Sequence, residues 1–260
     1  MNNILQTWSD WVDSRNKIFA NPSGFLSITN LVWLTNEPQE ITGLSGSWWA
    51  DGDTVQVKES NTGDHTWTIE PRSEMTFDFD GIKVELASRA GQLVVRPRDP
   101  NSPMLKSFES VLTFDYDEKF RIHAQLEKSS VPSEVVVGSV VEGMTHAYVS
   151  PGALSFEFEG KQYKLTAFDK AGTEDLTVYF KDATSGAITY GTGRSVTAHA
   201  QADGSYILDF NFAGNFPCSY TEFATCPVAP FENKLDFLVT AGEKKPIYRV
   251  TVDGIKSQVA

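Results

Sequence analysis

From Gly43 onwards, short runs of alternating apolar and polar side chains follow one another, and turn-forming residues separate each run from the next. A side-chain period of two is typical of strands with one buried face. Asp80-Gly81 stands between two such runs and predicts a tight hairpin. Further strands are predicted in the last third of the chain at 163–168, 176–182, 187–197, 205–212, 235–240 and 246–252. The chain is therefore predicted to be mainly β, forming an antiparallel barrel or a sandwich.

The first residues follow a different period. Apolar side chains recur at spacings of three and four over residues 4–19, which predicts an amphipathic helix that ends before Pro22 and Gly24. The next run, FLSITNLVWL, allows a buried strand or a short helix, and Ser23 as a possible cap favours a helix or turn. We expect residues 1–36 to pack as a helical segment on a β domain of residues 37–260. That domain allows two fused lobes with a break near 128–132.

The balance of charges narrows the range of partners. The chain has 34 acidic and 22 basic residues and a net charge of −12, which argues against binding to nucleic acids and to anionic membranes. Neither a membrane-spanning run nor a secretion signal is recognisable, and two cysteines do not make a disulfide framework. The sequence therefore predicts a cytoplasmic protein that binds a small polar or anionic molecule, and it leaves the oligomeric state open.

Residues 182–243 combine many polar side chains with aromatic ones and contain both cysteines. Asp182 begins a predicted turn, and Arg194 follows two glycines that permit close backbone approach. Asp209 and Asn211 are expected on one face of a strand, roughly 7 Å apart. Polar loops between strands are where β proteins usually carry a site.

The same stretch resembles a family known as domain of unknown function 1684. The resemblance rests on Phe180-Lys181-Asp182-Ala183-Thr184-Ser185-Gly186, Thr189-Tyr190-Gly191-Thr192-Gly193-Arg194, Asp209-Phe210-Asn211, Cys218, Cys226-Pro227, Glu232-Asn233 with Leu235, Ala241-Gly242-Glu243-Lys244, the N-terminal Gly24–Leu34 and, more loosely, Arg96-Pro97-Arg98-Asp99. Phe216 departs from the family pattern, which places the proline directly after the asparagine. The resemblance implies no mechanism, but its matches fall on polar residues and favour a site near 209–243.

Specific roles follow from the chemistry of these side chains. Asp209 or Glu232 is predicted as a general base, and Arg194, assisted by Lys244, as the group that holds an anion. The remaining predicted ligand contacts are Asn211, Asn215, Asn233, Glu243 and Asp182. Hydrolysis or group transfer is the chemistry that this set would support. No cofactor is predicted.

Two other functions compete with this interpretation. The 213–233 loop could present Phe216, Tyr220, Phe223 and Phe231 to a protein partner. Alternatively, Cys218 and Cys226 could form a thiol or metal centre. Their spacing lacks the short CxxC pairing of zinc sites, so we predict no bound metal and two sulfurs close to each other.

Overall fold

The computed structural model describes residues 2–258, which fold mainly as antiparallel β-structure. The helices are α1, Asn2–Phe19, and α2, Pro103–Ser107. The strands are β1 Val32–Trp33, β2 Gln39–Glu40, β3 Ser47–Asp51, β4 Thr54–Ser60, β5 Gly63–Thr68, β6 Glu74–Phe79, β7 Ile82–Arg89, β8 Gln92–Arg98, β9 Arg121–Gly138, β10 Thr145–Phe158, β11 Lys161–Asp169, β12 Leu176–Phe180, β13 Arg194–Ala200, β14 Tyr206–Asp209, β15 Gly214–Asn215, β16 Tyr248–Thr251 and β17 Gly254–Ser257.

Strands β1–β8 form two four-stranded sheets, ordered β1-β8-β7-β6 and β2-β3-β4-β5. Both sheets contribute to one apolar cluster, in which Trp48 and Val55 of one sheet pack with Val84 and Leu86 of the other. Because side chains alternate along β7, Glu85 points away from this cluster. Burial of apolar surface between the sheets holds this N-terminal lobe together.

Strands β9–β14 form a closed six-stranded barrel. Each strand pairs with the next along the chain, and β14 pairs with β9 to close the ring. The inward positions are apolar, as shown by the partners Leu154 and Leu165 and the partners Val178 and Val196. The choice that the sequence left open between barrel and sandwich is therefore resolved as a barrel for this part of the chain.

Helix α1 packs along the barrel through its aromatic side chains. The ring of Trp11 lies 5.6 Å from that of Phe212, and the ring of Phe19 lies 4.2 Å from that of Tyr220. The predicted N-terminal amphipathic helix and the mainly β fold are confirmed. No helix within residues 2–258 is long and apolar enough to cross a membrane.

Three local predictions were wrong. Residues 235–240 form no strand, β13 begins at Arg194 rather than at 187, and β14 ends at Asp209 rather than at 212. Asn211 lies in a 3-10 turn after β14, so it does not share a strand face with Asp209. In the first two places the backbone is held by isolated hydrogen bonds, such as Leu235 N–H to Lys181 O at 2.9 Å, rather than by a ladder. Residues 128–132 lie inside β9, and the predicted division into domains stays a prediction.

Candidate functional site

Arg194, the predicted anion-binding residue, is 1 % exposed and is surrounded by protein acceptors. Its Nη2 lies 3.0 Å from Asp182 Oδ2 and 3.0 Å from the carbonyl of Val239, and its Nη1 donates to the carbonyls of Ala241 and Glu243. Burial lowers the pKa of Arg194, and the Asp182 carboxylate opposes that shift. The hydrogen bonds from Arg194 to these three carbonyls hold the segment 232–244 against the end of the barrel.

Glu243 and Asn215 belong to the same buried network. The Glu243 carboxylate accepts hydrogen bonds from the guanidinium of Arg15 and from the backbone N–H of Asn215, the latter at 2.7 Å. Asn215 Nδ2 donates to the carbonyl of Lys244 at 2.7 Å. The ammonium of Lys244 lies 4.8 Å from the centre of the Phe114 ring. These polar groups join α1, β15 and the segment 232–244.

Asn233 completes the barrel where β11 and β12 separate. The ladder between these strands has only two residue pairs. The Asn233 side chain donates to the carbonyls of Thr166 and Tyr179, each at 2.8 Å, and accepts the N–H of Thr166 at 2.7 Å. Glu232, beside it, is exposed and accepts a hydrogen bond from the Thr166 hydroxyl at 3.2 Å. Asn233 thus replaces missing ladder contacts.

Asp209, the predicted general base, lies at a different place, on the outer wall of the barrel. It borders a cleft of about 220 Å³, here called the barrel-wall cleft. The cleft is lined by Ile4, Thr7, Arg121, Thr197, His199, Gln201, Ile207, Asp209 and Phe212. The structure therefore separates Asp209 from the buried network of Arg194, and Glu232 lines neither place.

The strand register explains how the polar side chains meet in this cleft. Asp209 lies opposite Arg121 in the β14–β9 ladder, and Ile207 lies opposite His199 in the β14–β13 ladder. Leu208, between the two β14 residues, points into the barrel core, so its neighbours point outward. Three adjacent strands thus present a carboxylate, a guanidinium and an imidazole on one face.

Local hydrogen bonds position Asp209. Its Oδ1 accepts the backbone N–H and the side-chain amide of Asn211, at 3.0 and 2.8 Å, while Oδ2 has a longer contact of 3.4 Å with the Tyr116 hydroxyl. Burial raises the pKa of Asp209, although the hydrogen bonds from Asn211 and the charge of Arg121 act in the opposite direction. A carboxyl group with a raised pKa beside a cleft is a candidate for proton transfer.

His199 is oriented by Asp175, which comes from the β11–β12 connection. Nδ1 of His199 lies 2.9 Å from Asp175 Oδ2, and Asp175 Oδ1 accepts the N–H of Ala200 at 3.0 Å. Burial disfavours the charge of Asp175, but the Ala200 N–H and His199 outweigh it and lower the pKa of Asp175. With Nδ1 donating to this carboxylate, Nε2 carries the lone pair and can accept a proton.

Sequence reasoning missed Arg121, His199 and Asp175 as site residues. Apolar and polar side chains alternate over residues 121–124, as they do in the predicted strands, and His199 is one of four histidines in the sequence. Neither observation shows which strands are neighbours, and the register that brings these residues together comes from barrel closure. The signal that the sequence offered was a polar side chain, Asp209, on one face of a predicted strand.

The two cysteines are free, buried and in one apolar cluster with Phe216 and Ala224. Within residues 2–258, no group of three or more His, Cys, Asp or Glu side chains is arranged to hold a metal. Both thiols lie in that same cluster, and the neighbouring Cys226 side chain lowers the pKa of Cys218, while burial acts in the opposite direction.

The aromatic residues proposed for a protein partner are mostly inside the structure. Phe216, Tyr220 and Phe223 are buried, whereas Phe231 is 95 % exposed. Of these four rings, one is available for a partner without rearrangement.

The comparisons with known proteins point to one family. A family model described as protein of unknown function (DUF1684) matches residues 106–244, more than half of the chain. An uncharacterised protein of Haloarcula marismortui, known from a solution NMR structure, is 32 % identical, with 54 % of this chain and 78 % of that chain covered and a TM-score of 0.45. No curated protein matches the chain significantly.

Proposed function

The chain belongs to the DUF1684 family of proteins of unknown function, and we propose that it binds a small organic anion in the barrel-wall cleft and exchanges protons with it. The observation that supports this proposal most strongly is the state of Arg121. Among residues 2–258, its guanidinium has no hydrogen bond and no ion pair within 4 Å. A guanidinium that borders a cleft and has free donors can bind a carboxylate or phosphate through two parallel hydrogen bonds.

The remaining walls restrict the size and character of the ligand. Ile4, Ile207 and Phe212 supply apolar surface, and Thr197 and Gln201 supply hydrogen-bonding groups. A volume of about 220 Å³ suits a molecule of a few carbons rather than a cofactor. We therefore expect a short organic acid or phosphate ester with a hydroxyl or another polar substituent.

His199 and Asp209 provide the acid–base chemistry. They lie diagonally on neighbouring strands, a relationship that places Cβ atoms about 7 Å apart and leaves room for a small substrate or water. His199 Nε2 would accept a proton, and Asp209, with its raised pKa, would supply or take one close to the anion. Such a pair suits hydrolysis or group transfer on a small anionic substrate.

Binding is tested by NMR titration with acetate, lactate and inorganic phosphate as probes. We expect saturable shifts of the Arg121 Nε–H and His199 side-chain signals with at least one probe. Arg121→Gln should weaken that affinity tenfold or more, because charge-assisted hydrogen bonds are lost. Lys128→Gln makes the same charge change on the same strand, outside the cleft, and should leave the affinity unchanged. Equal effects of both variants would contradict the assignment of Arg121 as the residue that binds the anion.

Proton transfer is tested separately with p-nitrophenyl acetate. Exposed histidines hydrolyse activated esters slowly by themselves, so the comparison uses two of them. His123 lies opposite Ile207 on the other side of β14, with no Asp175 beside it. His199→Gln should lower the rate by more than tenfold relative to His123→Gln. Similar losses in both variants would restrict the proposal to binding.

A further inference from the structure

A second cavity lies between the N-terminal lobe and the barrel, here called the interlobe groove. It has a volume of about 390 Å³. Arg96, Arg98 and Glu85 border it on one side, and Phe25, Tyr179 and Phe216 supply aromatic surface. None of its lining residues borders the barrel-wall cleft, so it is independent of the proposed function.

The strands β7 and β8 bring a group of charges to this face. Glu85 lies opposite Arg96 in their ladder, and its two carboxylate oxygens form ion pairs with Arg96 and Arg98. Arg89 pairs with Glu74 at the edge of the groove. This group of three arginines and two glutamates has a net charge of +1, whereas the whole chain has a net charge of −12.

Two hydrogen-bond donors in this group are unused. The Nε atoms of Arg96 and Arg98 are buried and have no partner within the described part of the chain. The two residues are 3 % and 9 % exposed. Arg98 cannot turn its head group away, because Nη1 donates to the carbonyls of Ser23 and Gly24, each at 2.7 Å. Buried donors normally have an acceptor, and both of these residues line the groove.

The groove also has the shape and surface for the rest of a ligand. Tyr179 and Phe216 pack edge to face, with ring centres 5.3 Å apart. Arg89 and Glu74 also line an adjoining cavity of about 670 Å³, which His146 borders with an unpartnered buried Nε2. Together the cavities reach the size range of sites that hold drug-sized molecules, and such sites commonly lie between lobes.

We propose that the interlobe groove binds an aromatic anion, with its carboxylate, sulfonate or phosphate group on the Nε donors of Arg96 and Arg98 and its ring against Phe25, Tyr179 and Phe216. The anion supplies the acceptors that the protein lacks. It also balances the excess positive charge beside Glu85. The aromatic walls select a ligand with a flat apolar body over an inorganic anion.

The first test uses 1-anilinonaphthalene-8-sulfonate, which carries an anionic group and fused rings, as a fluorescent probe, with phenyl phosphate and inorganic phosphate as competitors. We expect saturable binding at one site and displacement by phenyl phosphate at lower concentration than by inorganic phosphate. Displacement by both at the same concentration would contradict the aromatic part of the proposal. Arg121→Gln should leave the affinity for the probe unchanged, which separates this site from the barrel-wall cleft.

Replacing Arg96 alone would leave the buried Glu85 carboxylate without its ion pair to Arg96. The variant therefore combines Arg96→Gln with Glu85→Gln. It should lower the affinity for the probe by tenfold or more while the circular dichroism spectrum stays native. Phe25→Ala, which removes aromatic surface from the groove, should lower it independently. A native spectrum with affinity within twofold of the wild type in both variants would overturn the proposal.

Cys226 provides a measurement that needs no variant, because its side chain borders the groove and Cys218 does not. Saturating phenyl phosphate should slow the alkylation of Cys226 by iodoacetamide at least fivefold, as read by peptide mass spectrometry. The rate for Cys218 is the internal reference. Equal rates for Cys226 with and without phenyl phosphate would contradict occupancy of the groove even if both variants failed to fold.

Discussion

Glu243 accepts two hydrogen bonds from the guanidinium of Arg15, 2.5 Å from Nε and 3.2 Å from Nη2, across 228 positions of sequence. Glu243 is fully buried. Burial disfavours the charge of Arg15, but the Glu243 carboxylate outweighs that effect and raises the pKa of Arg15. The pair therefore joins the helix α1 to the segment 232–244.

Removal of one partner from this pair should lower the free energy of unfolding. Arg15→Ala leaves a buried carboxylate without its counterion, and we expect a loss of about 3 kcal/mol in the free energy of unfolding, measured by urea denaturation. Arg15→Ala combined with Glu243→Gln should recover part of it. Lys17→Ala, on the exposed side of α1, should change stability by less than about 0.5 kcal/mol. A similarly small effect of Arg15→Ala would show that the pair does not hold α1.

Asn233 provides a second test of the structural network. Asn233→Ala removes three hydrogen bonds and leaves the N–H and carbonyl of Thr166 and the carbonyl of Tyr179 without partners. We expect the free energy of unfolding to fall by about 3 kcal/mol and the amide of Thr166 to exchange faster. Lys234→Ala, its exposed neighbour, is the control. Unchanged exchange at Thr166 would contradict the bridging role of Asn233.

Gly242 tests how closely the segment 232–244 approaches the barrel. Its φ is +74°, and an added Cβ would lie 2.5 Å from the carbonyl oxygen of Ala213. Gly52 has a φ of +63° with nothing near its Cβ position, so Gly52→Ala isolates the cost of the backbone conformation, about 1 kcal/mol. Gly242→Ala should lower the stability of the protein by clearly more than Gly52→Ala does, as measured by thermal denaturation. Equal costs would show that the close approach has no energetic weight.

The sequence predicted the elements better than the site, for a physical reason. Helix α1 and the Asp80-Gly81 hairpin follow from local periods and turn chemistry, and both hairpin residues have positive φ, 53° and 77°. Arg194 was predicted as a ligand contact because it follows two glycines, and Glu243 because the motifs of the family resemblance fall on polar and charged residues. A buried ion pair that joins two segments requires the same residue types, so composition cannot separate the two roles.

The barrel-wall cleft could not be predicted from patterns within single strands, because it depends on the register between strands. Arg121, His199 and Asp209 lie on three strands, and a shift of one residue in any ladder would move a side chain to the opposite face. The sequence fixes alternation within each strand but not the pairing between strands. Closure of the barrel by β14 and β9 supplies that information.

The raised pKa of Asp209 predicts a specific pH dependence. The native state binds a proton more tightly than the unfolded state, so stability should fall as the pH rises from the ordinary value near 3.8 through the raised pKa of the native state. Asp209→Asn should remove that part of the slope in urea denaturations between pH 4 and 7. A slope unchanged by Asp209→Asn would show that the native carboxyl titrates normally. Asp53→Asn, at an exposed carboxylate, is the control.

The last prediction concerns the dyad of Asp175 and His199. The carboxylate of Asp175 holds the proton on Nδ1 of His199 and thereby keeps the lone pair on Nε2. Neutral imidazoles without such a partner usually favour the Nε2–H tautomer. Asp175→Asn should therefore shift the tautomer balance towards Nε2–H in side-chain ¹⁵N spectra at pH 8, and it should lower the esterase rate to that of His199→Gln. Glu174→Gln, at the neighbouring exposed residue, should alter neither the spectrum nor the rate. If Asp175→Asn changed the tautomer but not the rate, His199 would be oriented by Asp175 without acting as the proton acceptor.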